Sequence, residues 1–230
     1  MATKPVLAEL CRAFEAATSR PVALESVGGV EVAERVRAGE AFDMVALARD
    51  AIDKLIATGH LVAGSAVDLA RSPVAIAVRA GARRPDIGDE AAVRRAVLAA
   101  RTVGVSTGPS GVALGRLFER WGIVPELRDR LVTPPPGVPV GAFVADGRVE
   151  LGFQQLSELA SLEGIDVLGP LPPAIQIVTT FAAAIGAAAR QPEAARALIA
   201  FLASPAATET KRHHGMDPAD TAAGAGRNGR

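Results

Sequence analysis

The turn Thr107, Gly108, Pro109, Ser110 and Gly111 lies inside the run TVGVSTGPSGVALGRLFERWG, between a short β-rich stretch from Thr102 to Val105 and a helix. The first backbone N–H groups of a helix have no intrahelical acceptor and carry the positive end of its dipole. Such a turn is therefore a ready socket for an anion, and Ser110 adds a hydroxyl to it. The same residue types also make an ordinary helix cap, so the turn by itself leaves both readings open. No Gly-Lys-Ser/Thr follows, which excludes a triphosphate-binding loop of that type.

Other residues offer chemistry of the same kind. Arg71 and Ser72 stand at the entrance of a strand, where the guanidinium is either a surface charge or a planar partner for a carboxylate. Gly28 and Gly29 would let a backbone approach a ligand closely, or simply close a turn. Gln154 and Gln155 fall just past a strand, the edge at which open parallel sheets bind ligands, and they read equally as solvated loop residues. His213 and His214 are adjacent, so on a helix they point about 100° apart, and no nearby thiol or carboxylate completes a metal set. Cations at a helix C-terminus account for them. No Ser-His-Asp order with a nucleophile elbow occurs. Neither a metal nor a cofactor is expected.

These residues must be held by a fold, and the composition bounds which. The chain has 230 residues, enough for one large domain or two of about 100 residues each. Its 25 basic residues balance 25 acidic ones and aromatics are only 3%, with no Tyr, so nothing calls for nucleic acid or an anionic membrane. Cys11 is the single cysteine, which rules out an intrachain disulfide and a Cys-based zinc site. It shares a helical face with Leu7, Leu10 and Phe14 and reads as a small buried hydrophobe. No apolar run reaches the roughly 18 residues of a membrane span, and no charged-then-apolar signal pattern opens the chain.

Periodicity sets the order of elements. A helix carries Leu7 to Phe14; Pro21 to Val27 alternates as a strand; helices follow over Val30 to Ala38 and Asp50 to Ala57, with a strand from Phe42 to Leu47 between them. Strands are expected over Pro73 to Val78, Leu131 to Thr133, Val149 to Phe153, Ile165 to Leu168 and Ile175 to Ile185. Asp89 is placed to cap a helix from Glu90 to Ala99. Leu114, Leu117, Phe118 and Trp121 form one apolar helical face, and short or amphipathic helices cover Val138 to Ala145, the stretch after Pro192, and Pro205 to His214. Such alternation predicts an α/β fold with mostly parallel sheets and helices on both faces.

In that order, FDMVAL at Phe42, SPVAIAVRAGARRPDI at Ser72, TGPSG at Thr107, VELGFQQLSEL at Val149 and the closing PEAARALIAFLASPAA resemble the molybdate-binding-protein family. These are substrate-binding components of ABC transporters with the type II periplasmic binding protein fold. The resemblance implies two lobes joined by two crossovers and closing by a hinge on a small anion. Lobe I would take residues 1–72 and 177–216 and lobe II residues 73–176, while the Ala/Gly-rich composition of 217–230 predicts a disordered tail. The resemblance implies ligand contacts at Gly28, Gly29, Thr107, Pro109, Ser110, Gly111, Val138, Gln154 and Gln155, and Thr3, Arg71 and Ser72 are expected to bind the ligand with them. An ABC permease is the implied partner and the periplasm the implied location; the chain as written, lacking a signal pattern, is read alternatively as cytoplasmic.

Three departures bear on the ligand. Members that bind molybdate offer a Ser hydroxyl where this chain has Gly28 or Gly29, and a Tyr near Gln155. Each lost hydrogen bond to a charged group costs about 1.5 to 3 kcal/mol, which turns the expectation from molybdate towards an organic acid. The family's first strand also has no counterpart. The expected function is a solute-binding protein for a small anion, organic acid or oxyanion. The alternative is an isomerase of a small carboxylic acid such as aconitate, with Asp43 or Glu158 as base.

Overall fold

The computed structural model describes residues 2–135 and 137–219, and they form two compact units. Thr3–Arg71 and the part from Thr180 onward make the first unit, and Ser72–Thr179 the second.

The first unit opens with α1 (Lys4–Thr18), which buries Leu7, Leu10, Cys11 and Phe14. Burial pushes the Cys11 thiol up from its ordinary range, as fits a packing residue. Helix α2 (Gly29–Arg37), strand β1 (Met44–Ala48) and helix α3 (Arg49–Ala57) follow, and strand β2 (Val67–Arg79) carries the chain into the second unit.

Pro21 to Val27, read from the sequence as a strand, is irregular in the structure. A strand needs a partner for its N–H and C=O groups, and among the described residues none pairs with this segment. Instead Val22 N–H donates to Glu15 Oε1 at 2.7 Å, tying the segment back to α1, and Leu24 is exposed.

In the second unit come α4 (Glu90–Ala99), β3 (Val103–Gly104), α5 (Pro109–Arg120), α6 (Val124–Leu127), β4 (Leu131–Val132), α7 (Val140–Ala145), β5 (Leu151–Gln155), α8 (Leu156–Leu159) and β6 (Ile165–Pro170). Asp89 caps α4 as its residue type predicts, accepting from Ala92 N–H at 2.7 Å. Strand β7 (Val178–Ile185) returns the chain to the first unit, followed by α9 (Pro192–Ala203), α10 (Thr208–His213) and β8 (Asp217–Pro218).

The tail read as starting at Asp217 therefore begins with a short strand, whose Asp217 and Pro218 pair with Arg71 and Ala70 of β2. The remainder of that tail, 220–230, lies outside the described residues.

The sheets are mixed rather than mostly parallel. In the second unit the order is β6, β2, β5, β3, β4; β3 runs parallel to β4 and β5, while β2 is antiparallel to β5 and β6. In the first unit β7 runs antiparallel to β1 from Met44↔Ile185 to Ala48↔Phe181. The crossover strands β2 and β7 are what break the parallel pattern.

Strand alternation assigns the faces of the second unit's sheet. Val74, Ile76, Val78, Leu151 and Phe153 pack beneath α4 and α5 against Val93, Val97, Leu114 and Phe118, with the Phe118 and Phe153 rings 6.2 Å apart. Ala75 and Ala77 point the other way, onto Leu159 of α8.

Candidate ligand-binding site

The socket before α5 is built by a close approach. A Cβ on Gly111 would stand 1.7 Å from the carbonyl oxygen of Ser106, so only glycine lets the turn fold over that backbone. Gly108 caps the helix without a side-chain bond, Pro109 takes the first position and Val112 N–H closes the first turn onto the Gly108 carbonyl. Ser110 and Gly111 precede that turn, so their N–H groups lack an intrahelical acceptor. Ser110 is buried, its hydroxyl 3.0 Å from that of Ser106, whereas Thr107 and Pro109 are exposed.

Strands β3 and β5 are parallel neighbours, so their C-terminal ends share an edge with this turn. Gln154 and Gln155 are the last two residues of β5 itself, fully inside the strand, and not in a loop beyond it. Consecutive strand residues face opposite ways, and the two amides part accordingly.

Gln154 lies on the side of Gly152, where a Cβ would meet Val140 and Val144 of α7. Its Oε1 accepts from Gly141 N–H at 3.2 Å and it hydrogen-bonds Glu158. Gln155 lies on the side of Phe153, beneath α5, and is paired across the sheet with Val74. Its Nε2 donates to Thr179 Oγ1, and its buried Oε1 has no hydrogen-bond partner.

Ser72, completely buried on β2, donates to Ser157 Oγ at 3.2 Å and accepts from Ser157 N–H at 3.3 Å, which caps α8. The strand edge thus gathers the buried polar residues Ser72, Ser110, Gln155, Ser157 and Thr179. Ser157 and Thr179 escaped the sequence reading. Thr179 was visible only as a polar break in an apolar strand, and Ser157, in α8, gave no signal.

Val138 is 41% exposed at the surface of this unit, and its N–H donates to the Pro135 carbonyl at 3.0 Å. Four further sequence candidates belong to the first unit. Thr3 precedes α1 without a side-chain capping bond. Gly28 caps α2 with φ −61°, and a Cβ there would meet nothing within 4 Å; at Gly29 it would touch only the Leu47 side chain at 3.5 Å. Arg71 is half-buried on β2, opposite Asp217 of β8.

Two groups separate as candidate bases. Asp43 Oδ1 accepts from the N–H groups of Arg190 and Gln191 at 2.7 and 2.8 Å, which commits it to the turn before α9. Burial raises the Glu158 carboxyl above the ordinary carboxylate range, against a smaller lowering by the Gln154 amide. His214, closing α10, bonds Glu9 of α1 at 2.8 Å and serves packing of the first unit. Among the described residues no three His, Cys, Asp or Glu side chains converge as a metal set, and no helix is long and apolar enough to cross a membrane.

Known proteins share both sequence and architecture with this chain. A protein named aconitate isomerase from Pseudomonas sp is 38% identical over 218 residues, which are 91% of this chain and 82% of that one. The periplasmic molybdate-binding protein of Azotobacter vinelandii superposes with a TM-score of 0.75 at 20% identity, covering 93% of this chain and 94% of its own. The substrate-binding protein of an ABC transporter from Agrobacterium tumefaciens superposes with a TM-score of 0.71 at 17% identity, covering 91% of this chain and 75% of its own. These structures share the type II periplasmic binding protein fold with this chain. The family of bacterial extracellular solute-binding proteins matches residues 1–217, and the chain belongs to that family.

Proposed function

We propose that this chain is the solute-binding component of an ABC transporter, working outside the cytoplasmic membrane with a permease partner, and that its ligand is a small organic carboxylate. The observation that carries the reading is the gathering of Ser72, Ser110, Gln155, Ser157 and Thr179, all buried, at the strand edge where α5 begins with uncapped N–H groups. Buried polar groups are ordinarily satisfied within the protein, so an edge that buries them beside an orphaned amide oxygen is built to receive a polar molecule. Helix dipole and N–H groups favour a negative end.

The test is a thermal-shift and calorimetry panel of molybdate, tungstate, sulfate and phosphate against di- and tricarboxylates. A ligand at about 100 times its dissociation constant adds about 2.7 kcal/mol, a rise of roughly 5 to 10 °C for a chain of this size. A response to molybdate alone would overturn the carboxylate reading.

A second reading is favoured by the 38% identity to the protein named aconitate isomerase and by the half-buried Glu158 carboxyl, which partial burial raises above the ordinary carboxylate range. Glu158 would take a proton from a carbon next to the double bond of an unsaturated acid and return one at the far end of the three-carbon unit, with no co-reactant consumed. Proton NMR of the protein with cis- and trans-aconitate reads this directly. Conversion that falls at least 100-fold in Glu158→Gln while binding persists would establish the enzyme; no conversion, with binding, would leave the carrier.

A further inference from the structure

Gln155 is the last residue of β5 and is 3% exposed. Its Nε2 is committed to Thr179 Oγ1, and its Oε1 is without a partner. Gln155 follows Phe153, which packs in the core beneath α5, by two residues along β5, and the hydrogen bond places the Thr179 hydroxyl beside it. A buried carbonyl oxygen without a donor is a standing cost, removed when a bound molecule supplies an O–H or N–H. The socket at Ser110 and Gly111 calls for negative charge, while this oxygen repels it.

We propose that Gln155 and Thr179 form the specificity element of the site and that the ligand is a hydroxycarboxylic acid, its carboxylate held at the α5 start and its hydroxyl donating to Gln155 Oε1. The inference rests on the carboxylate reading above. It separates the ligand from aconitate, which has no hydroxyl, and from bare oxyanions.

The test compares acids that differ only by the hydroxyl: malate with succinate, citrate with tricarballylate, each titrated calorimetrically into the wild-type chain, with aconitate alongside. At least one hydroxy acid should bind tenfold or more tightly than its deoxy partner. In Gln155→Leu that preference should vanish, and the apo melting temperature should stay near that of the wild type, because losing the orphaned oxygen offsets losing the bond to Thr179 Oγ1. Equal binding within a pair in the wild type would overturn the inference and leave the carboxylate reading standing, since an amide turned to present its N–H would accept either acid. Binding of no carboxylate at all would overturn the carboxylate reading, and this inference with it.

Discussion

Gly111 and Gly28 are both glycines before or within the first turn of a helix, and physically they are opposites. At Gly111 a methyl group would stand 1.7 Å from a backbone oxygen, which cannot rotate away as a side chain would. Gly111→Ala should therefore cost about 2 to 3 kcal/mol, lower the melting temperature by roughly 5 to 10 °C and abolish the ligand-induced rise. A variant that melts like the wild type would show that the turn is not built on this contact. At Gly28 the space is open and φ is −61°, a conformation any residue adopts. Gly28→Ser should be tolerated and gain a few tenths of a kcal/mol as a helix cap. Melting curves check it; a loss of stability would show that the start of α2 has no room for a side chain. From the sequence both were simply glycines in turns, because what a Cβ would touch depends on distant chain.

At the scale of elements, apolar spacing located the helices well. The stripe of Leu114, Leu117 and Phe118 is the buried face of α5, and Ala195, Leu198, Ile199 and Leu202 that of α9. These faces are local geometry, and geometry of 3.6 residues per turn is readable along the chain. Strand Pro21 to Val27 was lost because a strand exists only with a neighbour. Helix α10 carries a different surprise, the buried Lys211, whose ammonium burial pulls below its ordinary value of 10.5. The unfolded chain then holds more protons between the lowered value and 10.5, so wild-type stability rises with pH through that window and sits at its lower level beneath it. Lys211→Met should stabilise the chain by about 1 to 3 kcal/mol at pH 7, with the gain shrinking near pH 10. Melting curves at the two pH values decide it; a gain that does not change with pH would exclude burial of the charge as its cause.

For the whole molecule, the two units have separate cores, one around Ile52 and Leu55 and one around Ile76, Leu114 and Phe153. A bound ligand protects from hydrogen exchange the amides it closes over, because exchange requires local opening. With a carboxylate present, protection should grow at 105–112 and 153–158 in the second unit, where the polar edge lies. Protection that grows only in the first unit would place the ligand elsewhere. By itself the sequence determined the fold class, nearly every helix, the cap at Asp89 and the turn at Thr107 to Gly111, since these rest on residue type and on spacing over a few positions. It also carried enough family likeness to announce a solute-binding protein. Only the tertiary structure decided that adjacent Gln154 and Gln155 have different partners, one bonding Gly141 of α7 and one bonding Thr179, and that Ser157 bonds Ser72. The reason is that partners of a buried polar atom come from strands far apart in sequence: Gln155 meets Thr179 across 24 residues and Ser72 meets Ser157 across 85.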